Sequence, residues 1–132
     1  MLHVFPDVEL WACQALREQL EGRTEAWATG MLVDIRVPPA RPDRFVVIQA
    51  DPGPTDTFKA QVNLRVRNWA PTEQEAAETA ALLRALLFAA ADGRGGISRL
   101  PGGSLPAWLT DESDQPARVQ WIPLLVRAHD KE

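Results

Sequence analysis

The chain of 132 residues holds one cysteine, two histidines and no tyrosine. A lone cysteine excludes an intramolecular disulfide framework and a zinc site built from several thiolates. His3 and His129 stand at opposite ends, which is not metal-ligand spacing. Positive charge is also scarce, with 14 Lys and Arg against 18 Asp and Glu and a formal net charge of −4. That balance argues against a general nucleic-acid binder, which relies on many cations neutralising phosphates. The longest apolar run, residues 80–91, is twelve residues long and carries Arg84. A spanning helix needs about twenty apolar residues, so a buried helix is expected there. No basic segment opens the chain, acids arrive at Asp7 and Glu9, and neither Asn63 nor Asn68 has glycosylation spacing. The expectation is a soluble intracellular product.

What is present suits a folded domain. Apolar residues make up 45% and charged residues 24%, close to the globular average. This length can build one core without staples, so residues 1–132 are read as a single domain. Prolines gather at 38–42, 52–54 and 101–106, between periodic segments, and mark loops within it.

Asp7 is a good N-cap for a helix over residues 7–20, where Val8, Trp11, Ala12, Ala15, Leu16 and Leu20 recur at helical spacing before Gly22. Residues 21–30 read as a loop with Trp27 as its anchor. Met31, Val33, Ile35 and Val37 alternate with Leu32, Asp34 and Arg36, predicting a half-buried strand ended by Pro38-Pro39. The β-branched run at 45–50 predicts a central strand with both faces covered. Over residues 57–69, Phe58, Ala60, Val62, Leu64 and Val66 share one face, with Lys59, Gln61, Asn63, Arg65 and Arg67 on the other. The linkers 38–43 and 51–56 are short enough for consecutive antiparallel strands. Thr72-Glu-Gln-Glu75 is a capping box opening a helix to about residue 91. The second half of that helix is apolar nearly all round, so it needs a second cover, from the first helix or from a neighbouring subunit. Short strands are expected at 97–100 and 105–109, and a last one at 118–128, where Pro123 suggests an edge or a bulge. Strands run in series with two helices, which predicts an α+β fold: an antiparallel or mixed sheet of four to five strands with two helices packed on it.

Catalytic chemistry finds little footing. Cys13 reads as a small buried hydrophobe, since its only possible histidine partners are at the termini. The cluster Asp111, Glu112 and Asp114 reads as a solvated loop tip without an ordered calcium loop. Gly93-Arg-Gly-Gly96 lacks a phosphate-loop ending and reads as a turn. Neither a catalytic residue nor a cofactor site is expected. The polar face Lys59, Gln61, Asn63, Arg65 and Arg67 is either a solvated sheet face or a docking surface. Trp69, at a strand end, and Trp108, beside the acidic cluster, are the two tryptophans considered for an interface.

The run from Phe58 to Leu87 joins an alternating strand through Trp69-Ala70-Pro71-Thr72-Glu73 to an Ala/Leu-rich helix. It resembles the centre of tail terminator proteins of long-tailed, siphovirus-type phages, in particular those of high-GC actinobacterial hosts. By motif the resemblance covers about residues 45–90, and by layout nearly the whole chain. It implies a structural virion protein at the head-proximal end of the tail, assembled in the host cytoplasm as a ring, usually of six. Such a ring caps the tail tube, stops its polymerisation, and joins it to the head-to-tail connector or stopper. DNA passes through the bore without specific binding, which suits a net-negative subunit. The loops 38–44, 51–57 and 101–117, with Asp51, Asp56, Asp111 and Glu112, are candidate contacts to the tube and the connector. The alternatives are another neck component, such as a head-closure or tail-completion protein, and a small ligand-binding α+β domain.

Overall fold

The computed structural model describes residues 2–28 and 30–131. Of the expected loop 21–30, Thr29 lies outside the described residues. The chain forms β1 (Leu2–Val4), α1 (Val8–Glu21), β2 (Leu32–Asp34), β3 (Phe45–Thr55), β4 (Lys59–Trp69), α2 (Glu73–Ala90), β5 (Ile97–Arg99), β6 (Ser104–Trp108), β7 (Ala117–Arg127) and β8 (His129–Lys131). This is an α+β fold, with a sheet larger than expected. Six strands run in the order β2-β3-β4-β7-β5, and β6 also pairs with β7. Both helices pack on one face of this sheet.

Both helix starts follow their caps. Asp7 accepts from the Leu10 N–H at 3.0 Å, and Thr72 accepts from the Glu75 N–H at 3.2 Å. The second half of the capping box is not made. Glu75 instead holds Arg44 in a two-pronged pair, with both nitrogens at 2.8 Å, and so ties the start of α2 to the entry of β3. The second cover of α2 comes from α1, which packs beside it. Half-buried Leu82, Leu86 and Phe88 also lean on the core, while Ala81, Ala85 and Ala89 are exposed. A methyl group leaves little apolar area in water, so a nearly all-apolar helix can be wet along one stripe.

The main core lies between helices and sheet. Ala12, Leu16 and Leu20 from α1, Leu83 and Leu87 from α2, and Val46, Ile48, Leu64, Val66, Ile122 and Leu124 from the sheet meet there. At one end the opposite face is covered too. Phe45, Val47, Trp69 and Ala117 form a second cluster under Val37 and Leu109. That explains why residues 45–48 are buried throughout, as expected for a strand covered on both faces.

Several expectations need correction. The strand at 31–37 is only three residues long, and it runs parallel to β3, with Leu32 opposite Phe45 and Asp34 opposite Val47. The linker is not an antiparallel turn. Residues 35–44 return to the starting end of β3, and Val37 is carried onto the second cluster. The prolines at 52 and 54 do not end a strand; β3 continues to Thr55 with a register shift near Pro52. β2 reaches only as far as Val47, so this stretch has a free edge and the missing N–H groups break no ladder. Phe58 is not on the strand but in the turn, and it is exposed.

Pro123, expected at an edge or bulge, lies instead on an interior strand between β4 on one side and β5 and β6 on the other. β5 pairs with residues 124–126 and β6 with 118–121, so Pro123 falls in the break between them. Its carbonyl accepts from the Leu100 N–H at 2.9 Å, and no ladder partner is lost there. Near the two ends of the chain, β1 and β8 form a two-stranded antiparallel ribbon, with His3 opposite Asp130 and Val4 opposite His129.

Candidate functional site

β4 presents Lys59, Gln61, Asn63, Arg65 and Arg67 on the face away from the helices, as the alternation predicts. This face is neither fully wet nor uniformly basic. Gln49, opposite Arg65 in register, accepts from Arg67 at 2.9 Å. Asp51, opposite Asn63, pairs with Arg65 at 3.4 Å. From β7, Trp121 stands opposite Arg65 and Leu125 opposite Gln61. The Nε atoms of Arg65 and Arg67 are buried without a partner. Burial, with the neighbouring Arg65 charge, lowers the pKa of Arg67 below the usual guanidinium range. Two cations brought this close cost energy alone and are relieved by an anion.

Beside this face, Asp51, Pro52, Gly53, Asn63, Leu100 and Pro123 line an open hollow of about 310 Å³. The tip of the β3–β4 hairpin is closed by Asp56, whose carboxylate accepts from the Phe58 and Lys59 N–H groups at 2.7 Å each. Those two bonds, Lys59 foremost, hold its pKa below the usual aspartate range. The terminal ribbon packs here: the Ala128 N–H donates to Phe58 O at 2.8 Å, and the His3 ring meets Phe58 edge-on at 4.7 Å.

The acidic loop is not a free tip. Arg41 reaches seventy residues along the chain to pair with Asp111, and donates to Gln115 at 3.1 Å and to Ser113 at 2.9 Å. Gln115 returns a bond to Pro42 O at 3.1 Å. Burial pushes the Asp111 pKa up, but bonds from Ser113 and the Arg41 charge outweigh it and leave it below the usual range. Glu112 is exposed. Sequence reasoning missed Arg41, because nothing local to Pro38–Pro42 points to a partner so far along the chain.

The two tryptophans part company. Trp69 is a correction: it is 1% exposed and stacks on Phe45 with ring centres 4.5 Å apart, so it is core and not an accessible interface residue. Trp108 is 65% exposed on β6, with the Arg118 guanidinium 4.3 Å over its ring. Leu105, on the same strand, is 75% exposed. Cys13 is buried as expected, and that burial raises its thiol pKa, which keeps it from acting as a ready nucleophile. Among the described residues no group of three or more His, Cys, Asp or Glu could hold a metal ion, and no helix is long and apolar enough to cross a membrane.

The arrangement offers a mixed-charge sheet face, the β3–β4 hairpin tip and the exposed side chains of β6. No known protein-family model matches the chain, and no curated protein is significantly similar to it.

Proposed function

We propose that this protein is a tail terminator subunit: a structural virion protein, not an enzyme, whose copies form a ring. The ring caps the tail tube, stops its polymerisation and offers its other side to the head-to-tail connector, while DNA passes through the bore. The observation that carries this reading is the role of the segment from Phe58 to Leu87, which holds the resemblance. It forms β4, the middle strand of the sheet, and leads through Ala70-Pro71 directly into α2, the longer helix. The rest of the chain is arranged around that unit. Two further features agree with a part that works by shape. The hairpin tip extends beyond the reach of β2, and β6 lies at one side of the sheet with Leu105 and Trp108 exposed.

The test is a null allele in the phage genome that encodes the chain, read by electron microscopy. Overlong tails detached from filled heads are the expected outcome. Tails of normal length joined to heads would overturn the reading. Unjoined tails of normal length would assign the protein to another step of neck assembly.

A further inference from the structure

The two edges of the sheet carry features that match each other. On the β6 edge, Trp108 is exposed, and the Arg118 guanidinium carbon lies 4.3 Å from the centre of its ring. Arg118 makes no ion pair among the described residues, and its Nε has no partner. Trp108 stands opposite Arg118 in the ladder, and Arg118 shares a strand face with Gln120 and Ile122, which point to the helix layer. The β6 edge thus presents an aromatic knob with a free cation at the level of the helices.

At the opposite end of the strand order, the start of α1 and the end of β2 enclose a hollow of about 170 Å³. Leu10, Cys13 and Ile35 give it an apolar wall, and Asp7 and Glu9 give it an acidic rim. Asp7 accepts from the Leu10 N–H and Glu9 from the Ala50 N–H, each through one oxygen, and neither carboxylate forms an ion pair among the described residues. Arg17 also borders the hollow; it donates to Val33 O at 2.6 Å and keeps its charge, so two carboxylates against one cation leave the hollow acidic on balance. Leu10 and Ile35 are 51% and 39% exposed, unusual for large apolar residues grouped at one place.

We infer that Trp108 of one copy docks in the α1–β2 hollow of the next, with Arg118 meeting the Asp7 and Glu9 rim. The size fits one large side chain, the walls are apolar, and the charges are opposite. Knob and hole lie on opposite edges of one sheet, so no copy can satisfy its own. The contact is head-to-tail, and such contacts close into rings or propagate as filaments. It is made by side chains and not by a shared strand ladder, because Pro106 removes an N–H from the β6 edge. A Trp–Arg pair seated in an apolar hollow is the kind of contact that dominates interface energetics. This inference deepens the ring reading above and rests on it for the identity of the partner as a second copy.

The test is paired cysteine cross-linking of the purified full chain. In a Cys13→Ala background, Ile35→Cys beside the hollow and Thr110→Cys beside the knob are both exposed positions that leave Trp108 in place, so the double variant should fold. Under mild oxidation it should give a ladder of linked species beyond the dimer, whereas each single variant should give dimers at most. In the otherwise native chain, Trp108→Ala and Arg118→Glu should each weaken self-association by about tenfold or more in sedimentation or light scattering. A folded double variant, verified by circular dichroism, that yields only monomer and dimer overturns the contact. If the native protein forms rings whose cysteines do not link, the contact fails and the ring reading stands. If ladders form but the protein does not arrest tail-tube growth, the contact stands and the tail reading fails.

Discussion

The Glu9 carboxylate on α1 accepts a hydrogen bond at 2.8 Å from the Ala50 N–H of β3, forty-one residues away. β2 has ended by Val47, so Ala50 sits on the stretch of β3 with a free edge. A helix side chain supplies the acceptor that a neighbouring strand would otherwise give. Glu9→Ala should destabilise the fold by about 1–2 kcal/mol, and Glu9→Gln, which keeps an acceptor oxygen, by less. Urea unfolding measures the difference. Faster hydrogen exchange at Ala50 alone would mark the lost bond, and unchanged exchange there would sink the assignment.

Arg41 joins the segment before β3 to the loop before β7 through Asp111, Ser113 and Gln115. Arg41→Ala should free residues 109–116 and cost about 1 kcal/mol, allowing for solvent screening of partly exposed groups. The Asp111 carboxyl titrates below the usual aspartate range in the folded protein. Its contribution is therefore complete above the ordinary aspartate pKa, about 3.9, and is lost as pH falls through the depressed folded value. Between pH 7 and 5 the loop should stay docked. Below about pH 4 it should loosen, as a change in tryptophan emission that Arg41→Ala shows already at neutral pH.

Gly103 has φ +83°, and a Cβ there would meet the Trp121 carbonyl oxygen and come within 2.7 Å of Pro123 Cδ. Gly103→Ala therefore combines strain in the left-handed region with a collision against backbone. It should cost about 2–4 kcal/mol and detach β6 from β7. Gly102, at φ +107° but with open space around it, carries only the first effect, so Gly102→Ala should cost clearly less. Comparable thermal shifts for the two variants would refute this account of the β6–β7 approach.

A polar layer lies buried under α2. Asn68 donates to Ala76 O at 3.0 Å and Gln120 to Ala80 O at 2.8 Å, one helical turn apart, while Asn68 Oδ1, Gln120 Oε1 and Thr79 Oγ1 have no partner. Buried acceptors without donors cost stability, and removing one with volume preserved recovers it. Gln120→Met should be neutral or stabilising by up to about 1 kcal/mol, whereas Gln120→Ala should lose about 2–3 kcal/mol to a cavity. A large loss on Gln120→Met would mean that a buried water satisfies Oε1.

The local elements follow from residues a few positions apart. Asp7 and Thr72 mark both helix starts because an N-cap is a contact within four residues. The faces of β4 follow from period two, which any pleated strand obeys. The polar surface of Lys59, Gln61, Asn63, Arg65 and Arg67 was legible for the same reason. Contacts between distant segments settled the rest. They made β2 parallel, turned Glu75 toward Arg44, ran β3 through two prolines, and buried Trp69 against Phe45. They also anchored the acidic loop on Arg41 and set Trp108 and the α1–β2 hollow at opposite edges of the sheet. Local propensity and alternation carry information about neighbours a few residues apart. Which strand lacks a partner, and which tryptophan a loop covers, depend on chain closure over tens of residues, where one sequence pattern is compatible with several pairings.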